Sequence, residues 1–203
     1  MTIFLVVAAV AGYLLGSLNS SMIVGKFYGI DIRKHGSGNA GTTNTLRTLG
    51  KKAALFALIG DMLKGIVAYL IGLSLYGEPI GGMIGGLAAI AGHNWPVYFG
   101  FKGGRGVLTS LAVLLMMDWQ IALLLLGVFI VVVAITRYVS LGSMIGAALF
   151  PFVSLAFGRD TVNIIFSAII GIMIIVLHHD NIKRLLAGKE SKLGAKKPEG
   201  KNG

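Results

Sequence analysis

The sequence contains no cysteine and few charged residues. The absence of cysteine excludes a disulfide framework, cysteine-based zinc sites and a thioester acyl-enzyme. Charged residues make up 13% of the 203 residues, compared with about 25% in soluble domains. Hydrophobic residues make up 55%, and the mean hydropathy is +0.82. A composition this apolar excludes a soluble globular protein and predicts a chain embedded in a membrane.

Hydropathy and helix breakers predict an all-α polytopic membrane protein with seven transmembrane helices, some of them short or broken. We place the helices at 2–25, 53–76, 80–98, 107–117, 119–136, 141–157 and 161–179. The fourth segment spans only about 16 Å as a helix, so an arrangement with five crossings is the alternative. We interpret the first segment as a retained helix, because it has no basic stretch ahead of it and is too long for a secretory signal.

Acidic residues are scarce, 8 against 18 basic ones, and the basic residues indicate the topology. Seven crossings place nearly all of them on one face, at 26–52, 99–106, Arg137 and the tail after residue 179. Only Arg159 falls on the opposite face, and Lys64 lies within the second helix. The positive-inside rule then puts the N-terminus outside and the C-terminus in the cytoplasm. We expect one transmembrane domain at 1–193 and a basic, disordered tail at 194–203.

The first of three polar clusters is a glycine-rich loop with many hydrogen-bond donors. It contains Gly36, Ser37, Gly38, Asn39, Gly41, Thr42, Thr43 and Asn44, followed by Arg47. Glycines permit turns with positive φ, in which successive amides bind anions. The loop lacks the ending of a nucleotide P-loop, so ATP hydrolysis is not indicated. A flexible solvated loop is the alternative, but the donors and the scarcity of acids favour anion binding.

The second cluster joins the third and fourth helices. Gly92 and Pro96 should break the third helix near the interface, and residues 102–106 (KGGRG) open the fourth. A glycine-rich turn that carries Lys102 and Arg105 at a helix N-terminus has free amides and two cations, which predicts a phosphate site. The alternative is that the two cations only follow the positive-inside rule.

The third cluster follows the last helix. If that helix continues, His178 and Asn181 share a face, three residues apart, while Lys183 points away from them. The residues alone leave a functional pair and a solvated helix end as equal alternatives. Ser143 belongs to a further hydroxyl cluster that follows Arg137 and that also suits a plain interfacial anchor.

Two charged residues lie inside the second helix. Asp61 and Lys64 are three residues apart on one face. Ionisable residues inside a membrane are costly enough to suggest function. We favour the simpler interpretation, in which the two side chains neutralise each other.

Several familiar catalytic motifs are absent. None of the histidines is followed by an aspartate at the acyltransferase spacing His-x4-Asp, and neither a G-x-S-x-G elbow nor an H-E-x-x-H motif is present. The acids inside the membrane or on the cytoplasmic side are not spaced as metal ligands. We therefore expect no metal and no nucleotide cofactor. A membrane pocket with phosphate-binding elements and hydrophobic walls suits an amphiphilic phosphorylated substrate, and we expect no nucleic-acid partner.

The three clusters resemble, in this order, the three signatures of the PlsY-type glycerol-3-phosphate acyltransferases. The matching residues are Gly36, Ser37, Gly38, Asn39, Gly41, Thr43, Asn44 and Arg47; Gly92, His93, Pro96 and 101–107; and His178, 181–184, Gly188, Glu190 and Lys192. The match covers nearly the whole chain before the tail. Arg105 stands where the family more often has lysine. Asn19 stands where proline is usual, which leaves the bend of the first helix open.

The resemblance implies a multi-pass enzyme of the bacterial inner membrane with its active site at the cytoplasmic face. It would move an acyl group from acyl phosphate to the 1-position of sn-glycerol 3-phosphate and form lysophosphatidic acid and phosphate, the first committed step of phospholipid synthesis. The implied partners are these two substrates, the lipid bilayer and, as a candidate, the soluble enzyme that makes acyl phosphate. No cofactor is implied.

The motifs also suggest roles for individual residues. We expect residues 37–43 to bind the acyl-phosphate head. Glycerol 3-phosphate would bind to Lys102, Arg105, Arg47, His178 and Asn181. The catalytic candidates are Ser37, Arg47, Lys102, His178 and Asn181. The substrate-binding candidates are Gly38, Asn39, Gly41, Thr42, Thr43, Asn44, His93, Gly103, Gly104, Arg105, Ser143, Lys183 and Arg184.

The route of the hydroxyl proton and the function class both have alternatives. The proton could pass to His178 or to a phosphate oxygen of the substrate, and the resemblance favours the substrate-assisted route. A carrier for phosphorylated metabolites could use the same basic loops, but its expected inverted repeat is not evident. A non-catalytic protein that binds anionic lipids would not need the glycine-rich turns.

Overall fold

The computed structural model describes residues 1–194, and this part of the chain is all-helical. Its α-helices are α1 (Thr2–Gly16), α2 (Ser20–Phe27), α3 (Thr42–Leu49), α4 (Lys51–Tyr76), α5 (Pro79–Asn94), α6 (Val107–Met117), α7 (Trp119–Thr136), α8 (Val139–Ala156), α9 (Thr161–Leu177) and α10 (His179–Leu186). Short 3-10 turns lie at Ile32–Lys34 and Val97–Phe99. The predicted tail, apart from Gly194, lies outside the described residues.

The predicted membrane architecture is confirmed. Four helical segments are long and apolar enough to cross a bilayer, namely α1 with α2, α4, α7 and α8. A fifth is formed by α9 and α10, which are bent by 56° at their junction. The remaining two, α5 and α6, have 16 and 11 residues. That all seven segments cross, and that the N-terminus lies outside, stay predictions.

Most helix ends lie within two residues of the predicted ones, but two differences change the geometry at the polar clusters. The third segment was expected to reach residue 98, but α5 ends at Asn94, because Pro96 has no amide hydrogen with which to continue the helix. The last segment ends at Leu177, and the chain turns at His178 before α10. His178 and Asn181 therefore do not share the face of one continuous helix, contrary to the expectation.

The first transmembrane segment is broken between α1 and α2 without the usual proline. Asn19 caps α2, because its side-chain oxygen accepts a hydrogen bond from the amide of Met22 at 3.0 Å. The Asn19 amide nitrogen donates to the carbonyl of Ala40 at 3.1 Å, which ties the break to the first polar loop. Asn19 thus occupies the break between α1 and α2 and caps the second helix without a proline.

Small residues bring α5 into close contact with α1 and α4. A side chain at Gly12 would overlap the backbone of Gly85, and one at Gly72 would overlap Gly81. Close backbone approach of this kind is a common way for helices to associate in a membrane, where the hydrophobic effect does not draw them together. Much of the high glycine content therefore serves helix packing.

A second group of helices, α7, α8 and α9, packs side by side, and α6 contacts α4 and α5 on one side and α7 on the other. The core between these groups is apolar and includes Ile90, Val113, Leu114, Ile121, Phe150 and Ile170. Because α6 is short, the connections at both of its ends lie close to the core.

The polar connections meet at one end of the helices, as predicted. Arg47 donates from Nη2 to the carbonyl of Ser191 at 3.0 Å, which joins the first cluster to the C-terminal segment. Arg105 donates from Nε to the carbonyl of Leu177 at 3.1 Å, which joins the second cluster to the third. All three polar clusters therefore border one space.

Candidate active site

A cavity of about 300 Å³ lies where the three polar clusters meet. The predicted site residues that line it are Ser37, Asn39, Gly41, Thr42, Thr43, Asn44, Arg47, His93, Arg105, Ser143, His178 and Asn181. The structure adds Asp61, Ser140 and Glu190, together with apolar walls from Leu58, Val107, Leu108, Phe129, Val133, Val139 and Leu193. Among residues 1–194, no group of three or more His, Asp or Glu side chains could hold a metal ion.

Asn44 holds the first loop in shape. Its side-chain oxygen accepts from the amide of Ser37 at 2.8 Å, and its nitrogen donates to the carbonyls of Ile32 at 3.1 Å and His35 at 2.9 Å. Gly36 has a φ of +60°, and a side chain there would overlap Asn44. The Asn44 amide, predicted to bind substrate, is thus already occupied by the loop itself.

The start of α3 offers free donors to the cavity. The backbone amides of Asn44 and Thr45 donate to the carbonyl of Gly41. Those of Thr42 and Thr43 have no hydrogen-bond partner among the described residues. The Thr42 hydroxyl is also buried without a partner. Unpaired amides and the positive end of a helix dipole together favour an anion.

Gly103 and Gly104 of the second loop do not supply free amides, contrary to the expectation. Gly103 donates to the carbonyl of Asn94 and Gly104 to that of His93, both at 3.1 Å. A side chain at either glycine would overlap the end of α5. Neither glycine lines the cavity, so both serve to close the loop against α5 and to place Arg105 at the cavity.

Four other predicted residues also lie outside the cavity lining. Gly38, Lys102 and Lys183 are exposed, and Arg184 is engaged by Glu190. The exposure of Lys183 agrees with its predicted direction away from His178. The substrate contacts predicted for these four residues stay predictions.

Two arginines at the cavity have no acidic partner within ion-pair distance in the described chain. Arg47 and Arg105 are held instead by backbone carbonyls. Burial lowers the pKa of Arg47, and burial together with the nearby Arg184 lowers the pKa of Arg105 to about 10. Both guanidinium groups stay charged at neutral pH.

The two acids that line the cavity are each neutralised by a base. Asp61 pairs with Lys64 at 2.9 Å, as the sequence suggested, and Glu190 pairs with Arg184 at 2.7 Å. The charges of Arg47 and Arg105 are therefore not neutralised by an acid of the cavity. Two unpaired guanidinium groups at one cavity are suited to a phosphate dianion, which they can bind through charge-assisted hydrogen bonds.

Glu190 connects three elements and was absent from the predicted site. It accepts hydrogen bonds from Ser140 at 2.8 Å, Asn181 at 2.7 Å and Arg184 at 2.7 Å. Burial alone would raise the pKa of Glu190, but these hydrogen bonds outweigh it and hold the pKa below its ordinary value. The sequence signal for Glu190 was only its place in the third motif.

The Glu190 carboxylate engages only one end of the Asn181 side chain. Its amide nitrogen donates to Glu190, while its side-chain oxygen is buried without a partner at the cavity. An unpaired buried acceptor is costly unless a water or ligand satisfies it. Asn181 therefore has one acceptor available for a hydroxyl group.

Comparison with known proteins decides the family. A family model described as glycerol-3-phosphate acyltransferase matches residues 6–188. The chain belongs to the glycerol-3-phosphate acyltransferase family. The relative from Thermoanaerobacter sp. (strain X514), named glycerol-3-phosphate acyltransferase, is 46% identical over 95% of this chain and 98% of its own. The Clostridioides difficile (strain 630) protein of the same name is 46% identical over 95% and 97%.

Solved structures of the glycerol-3-phosphate acyltransferase PlsY have the same fold. The integral membrane protein PlsY in its glycerol 3-phosphate form is 36% identical, with a TM-score of 0.89 over 94% of this chain and 96% of that chain. PlsY in its lysophosphatidic acid form gives a TM-score of 0.85 over 94% and 95%. The resemblance recognised in the three motifs is confirmed.

In this member of the acyltransferase family, an apolar cleft of about 130 Å³ lies beside the polar cavity. The cleft runs between α6, α7, α8 and α9, with walls that include Leu111, Leu114, Leu125, Leu126, Phe150, Ile170 and Ile174. Val107, Leu108, Phe129 and Ser143 line both spaces. The combined space suits a molecule with an anionic head and an apolar chain.

Proposed function

We propose that the protein transfers an acyl group from an acyl phosphate to the 1-hydroxyl of sn-glycerol 3-phosphate, with lysophosphatidic acid and phosphate as products. The reaction would take place at the cytoplasmic face of the bacterial inner membrane, as the first committed step of phospholipid synthesis. The observation that carries the proposal is the pair of unpaired arginines, Arg47 and Arg105, in a cavity that shares part of its wall with an apolar cleft. The names of the relatives support the acceptor, glycerol 3-phosphate.

The absence of familiar acyl-enzyme motifs supports an activated acyl donor. The chain has no cysteine and no G-x-S-x-G elbow that could carry an acyl-enzyme. An acyl phosphate is a mixed anhydride with phosphate as the leaving group, so alignment and charge stabilisation carry much of the catalysis. The acceptor hydroxyl oxygen bonds to the acyl carbon, the bond from that carbon to the phosphate oxygen breaks, and the hydroxyl proton ends on phosphate.

We assign the two substrates to different parts of the cavity. The open amides at Thr42 and Thr43 would bind the acyl-phosphate head, with its chain in the apolar cleft. Arg47 and Arg105 would bind glycerol 3-phosphate, and the side-chain oxygen of Asn181 would accept a hydrogen bond from a glycerol hydroxyl. Ser37 would add a hydroxyl donor at the first loop. Because Lys102 is exposed, it would act as a flexible charge near the mouth rather than as a fixed ligand.

His178 is better suited to hold the acceptor than to remove its proton. Its Nδ1–H donates to the carbonyl of Ile174 at 2.7 Å, which leaves Nε2 as an acceptor. Burial lowers the pKa of His178 to about 4. The second pKa of a phosphate monoester is about 6, so a substrate phosphate is the stronger base. Proton transfer to the substrate is therefore the favoured route.

Phosphate release from palmitoyl phosphate by the purified protein in lipid tests the proposal directly. We expect release that requires glycerol 3-phosphate, with lysophosphatidic acid formed in equal amount. Arg47→Ala should lower kcat/KM for glycerol 3-phosphate by about ten- to a hundredfold, the value of a hydrogen bond to a charged group. Lys102→Ala should lower it as well. Lys52→Ala, at an exposed position outside the cavity, is the matched control.

Other outcomes would identify a different function. Phosphate release that does not depend on the acceptor indicates a phosphatase. Lysophosphatidic acid formed from palmitoyl-CoA but not from palmitoyl phosphate overturns the proposed donor. Uptake of labelled glycerol 3-phosphate into vesicles without product formation indicates the carrier instead.

A further inference from the structure

Three ionisable side chains form a network buried among the helices beside the cavity. Asp61, Lys64 and His93 are 1%, 7% and 4% exposed. The Lys64 ammonium lies 2.9 Å from Asp61 Oδ1 and 2.8 Å from His93 Nδ1. It also donates to the carbonyls of Gly16 at 3.0 Å and Leu18 at 3.3 Å, at the break between α1 and α2. A simple ion pair between Asp61 and Lys64 would not need the histidine.

The contacts of Lys64 determine which nitrogen of His93 carries the proton. The charged Lys64 ammonium has three protons to donate. Its three nearest neighbours are His93 Nδ1 at 2.8 Å, Asp61 Oδ1 at 2.9 Å and the carbonyl of Gly16 at 3.0 Å, and the carbonyl of Leu18 is farther away at 3.3 Å. A protonated Nδ1 of His93 would put two donors 2.8 Å apart. It could donate only to Asp61 Oδ1, which lies farther away at 3.4 Å and already accepts from Lys64 at 2.9 Å. Nδ1 is therefore the acceptor, and the proton of the neutral imidazole lies on Nε2.

The Nε2–H of His93 is aimed at the substrate loops. A side chain at Gly104 would overlap Nε2, so the second loop passes close to this atom. His93 lines the cavity, and Nε2 has no hydrogen-bond partner among residues 1–194. A donor on a nearly buried side chain that faces a cavity without a protein partner points to a ligand that accepts its hydrogen bond.

We propose that Asp61 and Lys64 are positioning residues that hold His93 as a neutral Nε2–H donor to an anionic oxygen of the substrate. This inference rests on the proposed function, since the oxygen belongs to a bound phosphate or to the acyl oxygen that gains negative charge in the transition state. Asp61 keeps Lys64 charged, Lys64 occupies Nδ1, and His93 presents Nε2–H. The membrane-embedded charges thus act on the substrate through His93.

Nitrogen NMR of ¹⁵N-histidine-labelled protein in lipid nanodiscs reads the tautomer directly. We expect His93 at neutral pH to show an unprotonated Nδ1 and a protonated Nε2, with its signals assigned by their loss in His93→Gln. In the double variant Asp61→Asn with Lys64→Met, which removes both charges together, the proton should redistribute between the two nitrogens. A protonated Nδ1 in the wild type overturns the proposal.

Kinetics separate positioning from simple neutralisation. The neutral double variant should lose about ten- to a hundredfold in kcat/KM, the cost of a misplaced hydrogen bond to a charged group. His93→Gln should keep most of the activity, because a glutamine amide offers a donor near the place of Nε2 and has no tautomers. Adding the double substitution to His93→Gln should then cost little more. Wild-type kcat/KM in a folded double variant overturns the proposal.

Two comparisons complete the test. Asp118→Asn with Arg159→Met removes an ion pair of 2.6 Å between the residue that precedes α7 and the α8–α9 connection, away from the cavity, and should leave kcat/KM unchanged. An increase confined to KM for one substrate identifies a phosphate oxygen as the acceptor of the His93 hydrogen bond, whereas a decrease in kcat identifies the acyl oxygen.

If the wild type forms no lysophosphatidic acid, the proposed function fails. The NMR measurement still tests the network of Asp61, Lys64 and His93, because it does not depend on activity.

Discussion

At the scale of single residues, pairing decides which charges are free to act on a substrate. The chain carries many basic residues, yet only Arg47 and Arg105 combine a place at the cavity with the lack of an acidic partner in the described chain. Lys64 and Arg184 are each bound to a carboxylate. The sequence already paired Lys64 with Asp61, but it did not pair Arg184 with Glu190, because that contact depends on how the chain folds back after α10.

His178 gives a prediction about pH. Because burial lowers its pKa to about 4, the imidazole stays neutral across the working range. If a substrate phosphate takes the proton, kcat should fall in acid with a midpoint near the phosphate pKa of about 6. His178→Ala should keep this profile and a near-normal kcat but raise KM. If instead the wild-type kcat falls with a midpoint near pH 4, and His178→Ala changes that midpoint, His178 is the base.

The lowered pKa of His178 also makes the stability of the fold depend on pH. The folded-state pKa of about 4 lies below the ordinary 6.5, so the unfolded chain binds this proton more readily. The free energy of unfolding should therefore decrease as the pH falls from 6.5 towards 4, and this part of the decrease should be missing in His178→Ala. Thermal unfolding in detergent across this pH range measures the difference.

Glu190 gives a prediction about the integrity of the site. Glu190→Gln keeps the shape but leaves Arg184 without its counter-charge, so we expect a loss of about 1–3 kcal/mol in stability together with low activity. The pKa of Glu190 is lowered in the fold, so its contribution is present above the unfolded value of about 4.5 and is lost as the pH falls through the lower folded value.

Thermal unfolding of wild type and Glu190→Gln at several pH values checks this expectation. The difference in melting temperature should be full at neutral pH and should narrow below about pH 4.5. Glu78→Gln, which changes an exposed acid at the start of α5, is the control and should melt like the wild type. A Glu190→Gln protein as stable as the control at pH 7 would show that the three hydrogen bonds do not matter.

At the scale of elements, the structure shows which of the glycines inside helices are required for close helix packing and which are not. Both Gly12 in α1 and Gly127 in α7 sit inside helices, and the sequence treats them alike. In the structure, a Cβ at Gly12 overlaps the backbone of Gly85, whereas a Cβ at Gly127 meets nothing within 4 Å. The same residue type is therefore required at one position and only tolerated at the other.

Matched substitutions test this difference. Gly12→Ala should destabilise the protein by about 1–3 kcal/mol or more, since the overlap is with backbone that cannot rotate away. Gly127→Ala should be neutral or stabilise by about 0.5–1 kcal/mol, the usual gain inside a helix. Melting temperatures of the two variants in the same detergent give the comparison. Equal melting temperatures would contradict the close contact of α1 with α5.

At the scale of the whole molecule, the connections decide the topology. Arg33, in the 26–52 connection, donates to the carbonyl of Phe99 at 2.9 Å, which puts the 99–106 connection at the same end of the helices. With five crossings, the 99–106 connection would lie on the opposite side of the membrane. The structure therefore favours crossing by both α5 and α6.

The cysteine-free chain allows a direct test with single cysteines. In right-side-out vesicles, a membrane-impermeant maleimide should label Glu78→Cys at once. It should label Lys52→Cys and Lys102→Cys only after permeabilisation, because both lie at the opposite end of the helices. Labelling of Lys102→Cys in intact vesicles would support five crossings instead, and labelling of Lys52→Cys there would reverse the orientation.

The sequence by itself determined the membrane class, the approximate helix bounds and the three polar clusters of the site. These features are local, since hydropathy, glycine and proline act over a few neighbouring residues. The meeting of His178, Arg47 and Arg105 at one end also followed from the sequence, because alternate crossings return every second connection to the same side.

Only the tertiary structure decided what each polar group binds. The amides of Gly103 and Gly104 close onto α5, Glu190 joins Ser140 to the third cluster, and Lys64 reaches His93 on another helix. Hydrogen bonds of this kind join groups far apart in sequence and depend on how closely the helices pack. A donor within a motif can therefore be recognised from the chain, but whether it is free for a substrate is determined by packing.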